Sequence, residues 1–518
     1  MKNIPFLDLG IIFLYLATMT ATGFYFGLRR KDSRDFMIAG GKLPGWIVGI
    51  SIFGTYLSSN TFLGIPGKAF SENWNSFVFS LSIPFAAWVA VKYFIPFYRQ
   101  RGEISAYSHL ENRFGKWAKI YAVICFMLTQ IARIGSILFG IGLVLSFLLK
   151  IDLWIIILVI GFIVMIYTSI GGLEAVIWTD VIQSVILFLG AIAILLVMLI
   201  EIPGGLQEFI GRGLQFEKFS LGSWDLNFFT STVWVVFIYG IFINLTNFGI
   251  DQNYVQRYHA ARTEKEASFS VWLLARLYIP VSLLFFMIGT ALFIYTINDP
   301  GFLTVIRENV SGIPPDIAGL STDMVVKSLS SPGTGDRVLP LFITYQVPHG
   351  LSGFIVSALL AAAMSTISSS MNSSATIYFK DIHAIIFKNR GKSQEGLKIL
   401  RIATVLFGMV STGIALLMIG VGSILDAWWL LSGIFSGGML GLFLLGLLTK
   451  AKKPHAALAV TAGIVGIAWL SLSPLIPGNL SWLRSPFHAN MIIVIGTLII
   501  FLAGIFFRKI IPDEKNAR

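Results

Sequence analysis

The sequence predicts an all-α membrane protein with about thirteen transmembrane helices. Three observations predict it. The 518 residues are 56% hydrophobic and only 12% charged, where a soluble domain is about a quarter charged. Apolar segments of roughly 20 residues, long enough to cross a bilayer, recur from end to end. Lys and Arg concentrate on alternate loops.

The apolar segments are 7–28, 44–66, 76–98, 117–149, 153–170, 176–201, 228–250, 270–297, 341–379, 398–421, 424–448, 454–473 and 490–508. Loops after the odd-numbered segments, taken with Lys119, Lys398, Arg401 and Arg508 at the segment ends that adjoin them, hold 26 Lys and Arg; the opposite side holds nine, and Lys92, Arg133 and Arg276 fall deeper inside segments. Basic residues mark the cytoplasmic side. The expected location is therefore a cytoplasmic (inner) cell membrane crossed many times, with the N-terminus outside and the C-terminus inside. The net charge of +12 is then mostly topology, and no nucleic-acid partner is expected. A basic patch for a soluble partner is the alternative.

The first segment does not read as a cleavable signal. The cluster Arg29-Arg30-Lys31 lies behind it, and no A-x-A site follows. The lone cysteine, Cys125, excludes a disulfide framework or a cysteine metal site within one chain. No soluble domain is visible. The longest outside loops, 202–227 and 298–340, are expected to be ordered, the second with short helices.

Around segment 2, the stretch GWIVGISIFGTYLSSNTFLGIPGKAF at 45–70 carries five glycines, a proline and the polar centre Thr55-Tyr56-Leu57-Ser58-Ser59-Asn60-Thr61. A continuous lipid-facing helix gains nothing from that. A helix broken at mid-membrane frees carbonyls that can coordinate a cation inside protein. In segment 3, Lys92 sits close enough to an end to snorkel. Segment 4 buries Arg133 about sixteen residues from either end. That is ~24 Å of helix, too far to snorkel. Arg forks onto carboxylates, so Arg133 faces either an anionic substrate or an internal acid or carbonyl.

In segment 6, GGLEAVIWTDVIQS places Asp180 inside the cytoplasmic end. An intramembrane acid is a functional candidate by default; a helix cap is the other reading. In segment 7, Asn244, Thr246 and Asn247 interrupt the apolar run. Segments 2 and 7 lie five spans apart, which points to two inverted five-helix repeats. Arg276 in segment 8 reads as a second snorkelling residue.

Segment 9 contains AAAMSTISSSMNSSAT at 361–376. On a helix, Ala362, Ser365, Thr366 and Ser369 share one face and Ser368 borders it. Hydroxyls suit an alkali cation, and the absence of nearby His or Cys argues against a transition metal. Close helix packing is the competing account, and it covers Ser373 and Ser374. Trp428 and Trp429 in segment 11 either gate a cavity or belong to the interfacial belt. The division expected is a peripheral helix and loop at 1–43, a first repeat at 44–201, an outer loop at 202–227, a second repeat at 228–448, and two peripheral helices with a tail at 449–518. No nucleophile–base set or nucleotide-binding loop appears, so an enzyme is not expected.

These stretches, with DQNYVQRY at 251–258 and SGGMLGLFLLGLL at 436–448, resemble the sodium:solute symporter family over about residues 5–510. The resemblance implies a five-plus-five inverted-repeat (LeuT-like) core and sodium-coupled solute import by alternating access. It implies one or two sodium ions. A conserved site would use Gly54, Leu57 and Ala362 carbonyls with Ser365 and Thr366 hydroxyls. An additional site would use Asp180, Ser365, Ser368 and Ser369. That set, together with Arg133, is most similar to bacterial sialic acid symporters, in which the arginine binds the sugar's carboxylate.

Substrate positions carried over are Arg133, Tyr56, Ser58, Asn60, Thr61, Ser76, Ser80 and Asn244. Tyr56 stands where those carriers have threonine, and Ser76 and Ser80 where they have phenylalanine and glutamine. The partners implied are sodium, the lipid bilayer and a small, anionic organic solute, with the carrier a monomer. A neutral sugar or polyol and a small monocarboxylate are alternative solutes; a sodium-gated channel or sensor is the alternative class.

Overall fold

The computed structural model describes residues 6–28, 32–310, 312–314, 322–330, 334–386, 393–419 and 437–511. Among them the chain is helical almost throughout, and the sole extended pairing is a backbone bridge between Leu43 and Ala261. In chain order the principal helices are α1 (Phe6–Leu28), α2 (Gly45–Tyr56), α3 (Ser59–Ser71), α4 (Trp74–Arg101), α5 (Lys116–Leu149), α6 (Leu153–Glu201) and α7 (Val233–Ile250). They continue with α8 (Gln252–Ala260), α9 (Glu264–Asn298), α10 (Leu351–His383), α11 (Gln394–Leu417), α12 (Gly437–Leu448), α13 (Lys453–Leu472) and α14 (Met491–Ile510). Ten of these are long and apolar enough to cross a membrane; α2, α3, α8 and α12 are shorter.

The expected thirteen spans do not appear as thirteen separate long helices. Segments 153–170 and 176–201 form the one helical run α6. Its 49 residues would extend ~74 Å if straight, more than twice the hydrocarbon thickness. The run turns at Gly172, where φ is 54° and ψ −163°, a conformation glycine adopts at low cost. The span expected over 341–379 is divided. Gly335–Tyr345 is a separate short helix, and α10 starts only at Leu351. The span expected at 424–448 is described from Gly437 onward, so Trp428 and Trp429 lie outside the described residues.

Helix α10 is the centre of the molecule. From Ile355 to Ile377 every residue is buried. It packs against α6, α1, α5 and α11, while α9 lies along α2 and α3, and α7 along α4. The small and hydroxyl side chains of α10 allow neighbouring backbones to approach closely.

One face of the molecule carries the longer connections. Short helices Gly205–Gln215, Pro300–Asn309 and Thr322–Leu329 lie there, as expected for ordered loops. On this face Lys218 donates to the carbonyls of Phe70 (2.6 Å) and Glu72 (2.9 Å) at the end of α3. The opposite face is fastened by Lys119, whose Nζ lies 2.9 Å from both Glu111 and Asp381. Ser105 also donates to Asp381. Lys92 rests over the rings of Trp88 and Tyr93 at 5.0 and 5.3 Å, in keeping with an interfacial side chain.

Candidate functional site

The site is built on two helix breaks. The first falls between α2 and α3. Leu57 leaves the helix at ψ 116° and Ser58 is extended at φ −112°, ψ 172°. A new helix starts because Ser58 and Thr61 form a reciprocal capping box. The last bond of α2 runs from the Leu57 N–H to the Phe53 carbonyl (3.0 Å). The carbonyls of Gly54, Thr55, Tyr56 and Leu57 are therefore left without helical partners. The C-terminal end of α2 favours a cation, and the N-terminal end of α3 favours an anion.

The second break is at Asp251, not at Asn244–Asn247 as the sequence suggested. Helix α7 runs unbroken through those residues to Ile250. Asn and Thr persist there because their side chains are satisfied locally. Asn244 donates to the Gly240 carbonyl (2.7 Å) and Thr246 to the Phe242 carbonyl (2.9 Å). Asp251 then caps α8 by accepting from the Asn253 N–H (2.8 Å).

The residues expected to hold the conserved cation do converge. Thr366 Oγ1 lies 3.4 Å from both the Leu57 and Ala362 carbonyls, and 3.2 Å from that of Thr55. Gly54 packs so closely that a Cβ there would meet Ser184 Oγ at 2.5 Å and Ser365 Oγ at 3.2 Å. All the candidate ligands are neutral oxygens, which suits a hard monovalent cation.

Asp180 sits beside this group, fully buried. Ser365 donates to one carboxylate oxygen (2.6 Å), and Ser51 donates to the other (2.5 Å). The sequence reading missed the third partner. Arg257 on α8, equally buried, places Nη2 2.9 Å from Asp180 Oδ2. The same nitrogen donates to Thr55 Oγ1 (2.8 Å) and Ser369 Oγ (2.6 Å). Sequence counting had assigned Arg257 to a loop because the apolar run ends at Ile250. Asp180, Ser365 and Ser369 are thus brought together, but with a guanidinium among them. Ser368 instead donates to the Ser365 carbonyl (3.1 Å).

A cavity of about 140 Å³ runs from the breaks toward the face with the long connections. Arg133, Asp251, Gln130 and Tyr254 line its deep end; Ile65, Lys68, Ser76 and Phe79 line its mouth. Arg133 Nη1 is 3.7 Å from Asp251 Oδ2. The internal acid that sequence analysis posed as an alternative partner is therefore present. Tyr56, Ser58, Thr61, Ser76 and Ser80 also line the cavity. Asn244 does not; it is buried behind Tyr56 and accepts a short hydrogen bond from the Tyr56 hydroxyl. The side chain of Asn60 lies outside what the structure describes. Among the described residues no cluster of His, Cys, Asp and Glu could hold a transition metal.

The sodium:solute symporter family matches residues 36–466. The chain belongs to this family. It is accordingly a sodium-coupled secondary transporter and not an enzyme. Among its relatives, the sodium/sialic acid symporter of Proteus mirabilis is 34% identical over 90% of this chain and 89% of its own length. That of Aliivibrio fischeri is 33% identical, covering 98% and 94%. A substrate-bound, outward-open structure of a Na+-coupled sialic acid symporter superposes with a TM-score of 0.83 at 31% identity, covering 98% of both chains. The symporter thus shares the inverted-repeat architecture of that carrier.

Proposed function

We propose that this symporter couples sodium entry to the import of a sialic acid-like organic anion by alternating access. The face with the long connections is outside and the face carrying Lys119 is inside, which agrees with the partition of Lys and Arg. The carrier acts as a monomer in the cell membrane. The carrying observation is Arg133 in the cavity wall beside the start of α3. A guanidinium and the first N–H groups of a helix form a carboxylate site.

The cation site at Gly54, Leu57, Ala362, Ser365 and Thr366 adjoins the same helix break. Sodium there would hold α2 against α10 and pre-form the anion site on α3. Each ligand then raises the affinity for the other, as linkage requires. The charges support pairing of the two ligands. Asp180 and Arg257 neutralise one another, as do Asp251 and Arg133. An anion or a cation entering alone would leave a net charge in a low-dielectric site.

The Arg133–Asp251 pair also supports a second reading. In it Arg133 is structural and the solute is a neutral sugar or polyol. Equilibrium binding to purified protein, measured in sodium against a panel of acidic and neutral sugars, separates the two. The anion reading predicts binding of acidic sugars and at least a hundredfold loss for Arg133→Ala. Arg133→Lys, which keeps the charge but not the fork, should recover part of it. Neutral-sugar binding unaffected by Arg133→Ala would establish the second reading.

A further inference from the structure

Arg276 is a charge that the transport site does not use. It lies exposed on α9, within a helix apolar enough to cross a membrane. Among the described residues it has neither a hydrogen-bond nor an ion-pair partner. A guanidinium on the outer wall of a membrane helix is costly unless an anion meets it.

Its surroundings form a groove. Trp272, Ala275, Arg276 and Ile279 follow the i, i+3, i+4, i+7 spacing of one helix face. With Pro84 of α4 they line a space of about 270 Å³. Apart from the guanidinium this lining is apolar. Trp88, one turn from Pro84 on the same face of α4, is exposed.

A second cation approaches the same depth. Trp74 bonds Thr290 (2.9 Å), Ser80 bonds Ser282 (2.7 Å) and Arg99 bonds the Ala261 carbonyl (3.0 Å), so α4 and α9 run antiparallel. In that register Lys92 stands about six residues, or ~9 Å of helix, nearer the Lys119 face than Arg276. Each Cα–Cβ bond tilts toward the N-terminus of its own helix. That directs Arg276 toward the Lys119 face and Lys92 away from it, onto the Trp88 ring at 5.0 Å. Snorkelling alone brings either head to the interface. It gives no account of a groove beside them shaped for a hydrocarbon chain.

We propose that this groove binds one anionic phospholipid from the leaflet on the Lys119 side. The phosphodiester oxygens accept from the Arg276 guanidinium, and Lys92 adds its attraction across a short distance. One acyl chain lies along Trp272 and Pro84. A zwitterionic lipid is disfavoured because its own ammonium opposes the two cations. The lipid then staples α4 to α9, which also wall the solute cavity through Ser80 and Tyr278. The proposal rests on the membrane setting, not on the solute or on which face is inside.

Native mass spectrometry of the full chain in detergent tests it. The probes are phosphatidylglycerol and phosphatidylcholine with identical acyl chains. The native chain should retain one phosphatidylglycerol at least fivefold better than phosphatidylcholine. Arg276→Gln should bring the two within twofold, and Arg276→Lys should keep part of the preference. Trp272→Ala keeps the charge but should weaken retention of both lipids, so it reports on the groove independently. Phosphatidylglycerol should also raise the melting temperature of the native chain and not that of Arg276→Gln. Equal retention of the two lipids by the native chain would overturn the proposal, as would an undiminished preference in folded Arg276→Gln. Inorganic phosphate that stabilises as well as phosphatidylglycerol would make this a free-anion site instead. A dimer lost in Arg276→Gln, with no lipid retained, would make it an interface between copies of the chain. Either result would equally refute the lipid assignment.

Discussion

Arg257 is the residue on which the proposed cation chemistry turns. Its guanidinium compensates Asp180 within a fully buried group. Removing one member of such a pair costs about 3–5 kcal/mol, because the other is left charged and unpaired. Arg257→Ala should therefore destabilise the protein strongly in sodium-free buffer. Sodium should restore much of the loss if Asp180 is a cation ligand. Thermal unfolding in detergent checks this: the variant should be stabilised more by sodium chloride than by choline chloride. Equal effects of the two salts would exclude a sodium site at Asp180.

Lys218 makes a separate prediction at the same scale. Burial lowers its pKa to about 8, partly offset by Glu72. Below pH 8 both folded and unfolded chains hold the proton, and the burial penalty is fully present. Between about 8 and the ordinary value of 10.5 only the unfolded chain does, so this lysine's contribution to stability rises with pH. Lys218→Met should flatten the slope of melting temperature between pH 8 and 10. Asp180, Ser365 and Thr366 were legible in the sequence because hydroxyls and an acid in an apolar run are costly. Arg257 and Asp251 were not. They follow the end of an apolar run, where charge normally means solvent, and only the fold turns that segment inward.

Among the elements, the break between α2 and α3 organises the site. It was legible because glycines, a proline and a Ser-x-x-Thr cap coincide within one apolar segment. The break in the second half was misplaced by several residues. Asn244 and Thr246 look like interruptions, yet each bonds a carbonyl of its own helix, so the helix continues. The true break is made by the Asp251 cap, which no hydropathy pattern marks. Gly54 is the most demanding position in the first break, since Ser184 and Ser365 crowd it. Gly54→Ala must push α2 away from α6 or α10. The expected result is at least a tenfold rise in the sodium concentration for half-maximal transport, with Arg133-dependent anion recognition retained. Isotope uptake across a sodium series measures it. An unchanged sodium dependence would remove Gly54 from the cation site.

For the whole molecule, the two helix breaks place the proposed cation site and the proposed anion site side by side beneath one cavity. The all-helical class, the membrane setting and the family were legible from composition and from four stretches of sequence. The number of separate helices was not. Gly172 turns the chain within a continuous helical run, where hydropathy marked two spans. Coupling is a property of this whole arrangement, and a sodium gradient imposed on proteoliposomes tests it most directly. Uptake of a sialic acid is followed with sodium outside, with potassium replacing it, and with sodium equal on both sides at zero membrane potential. The account predicts accumulation above the external concentration only under the inward gradient, and its loss in Arg133→Ala. Equal uptake in potassium, or equilibration without accumulation under the gradient, would contradict it.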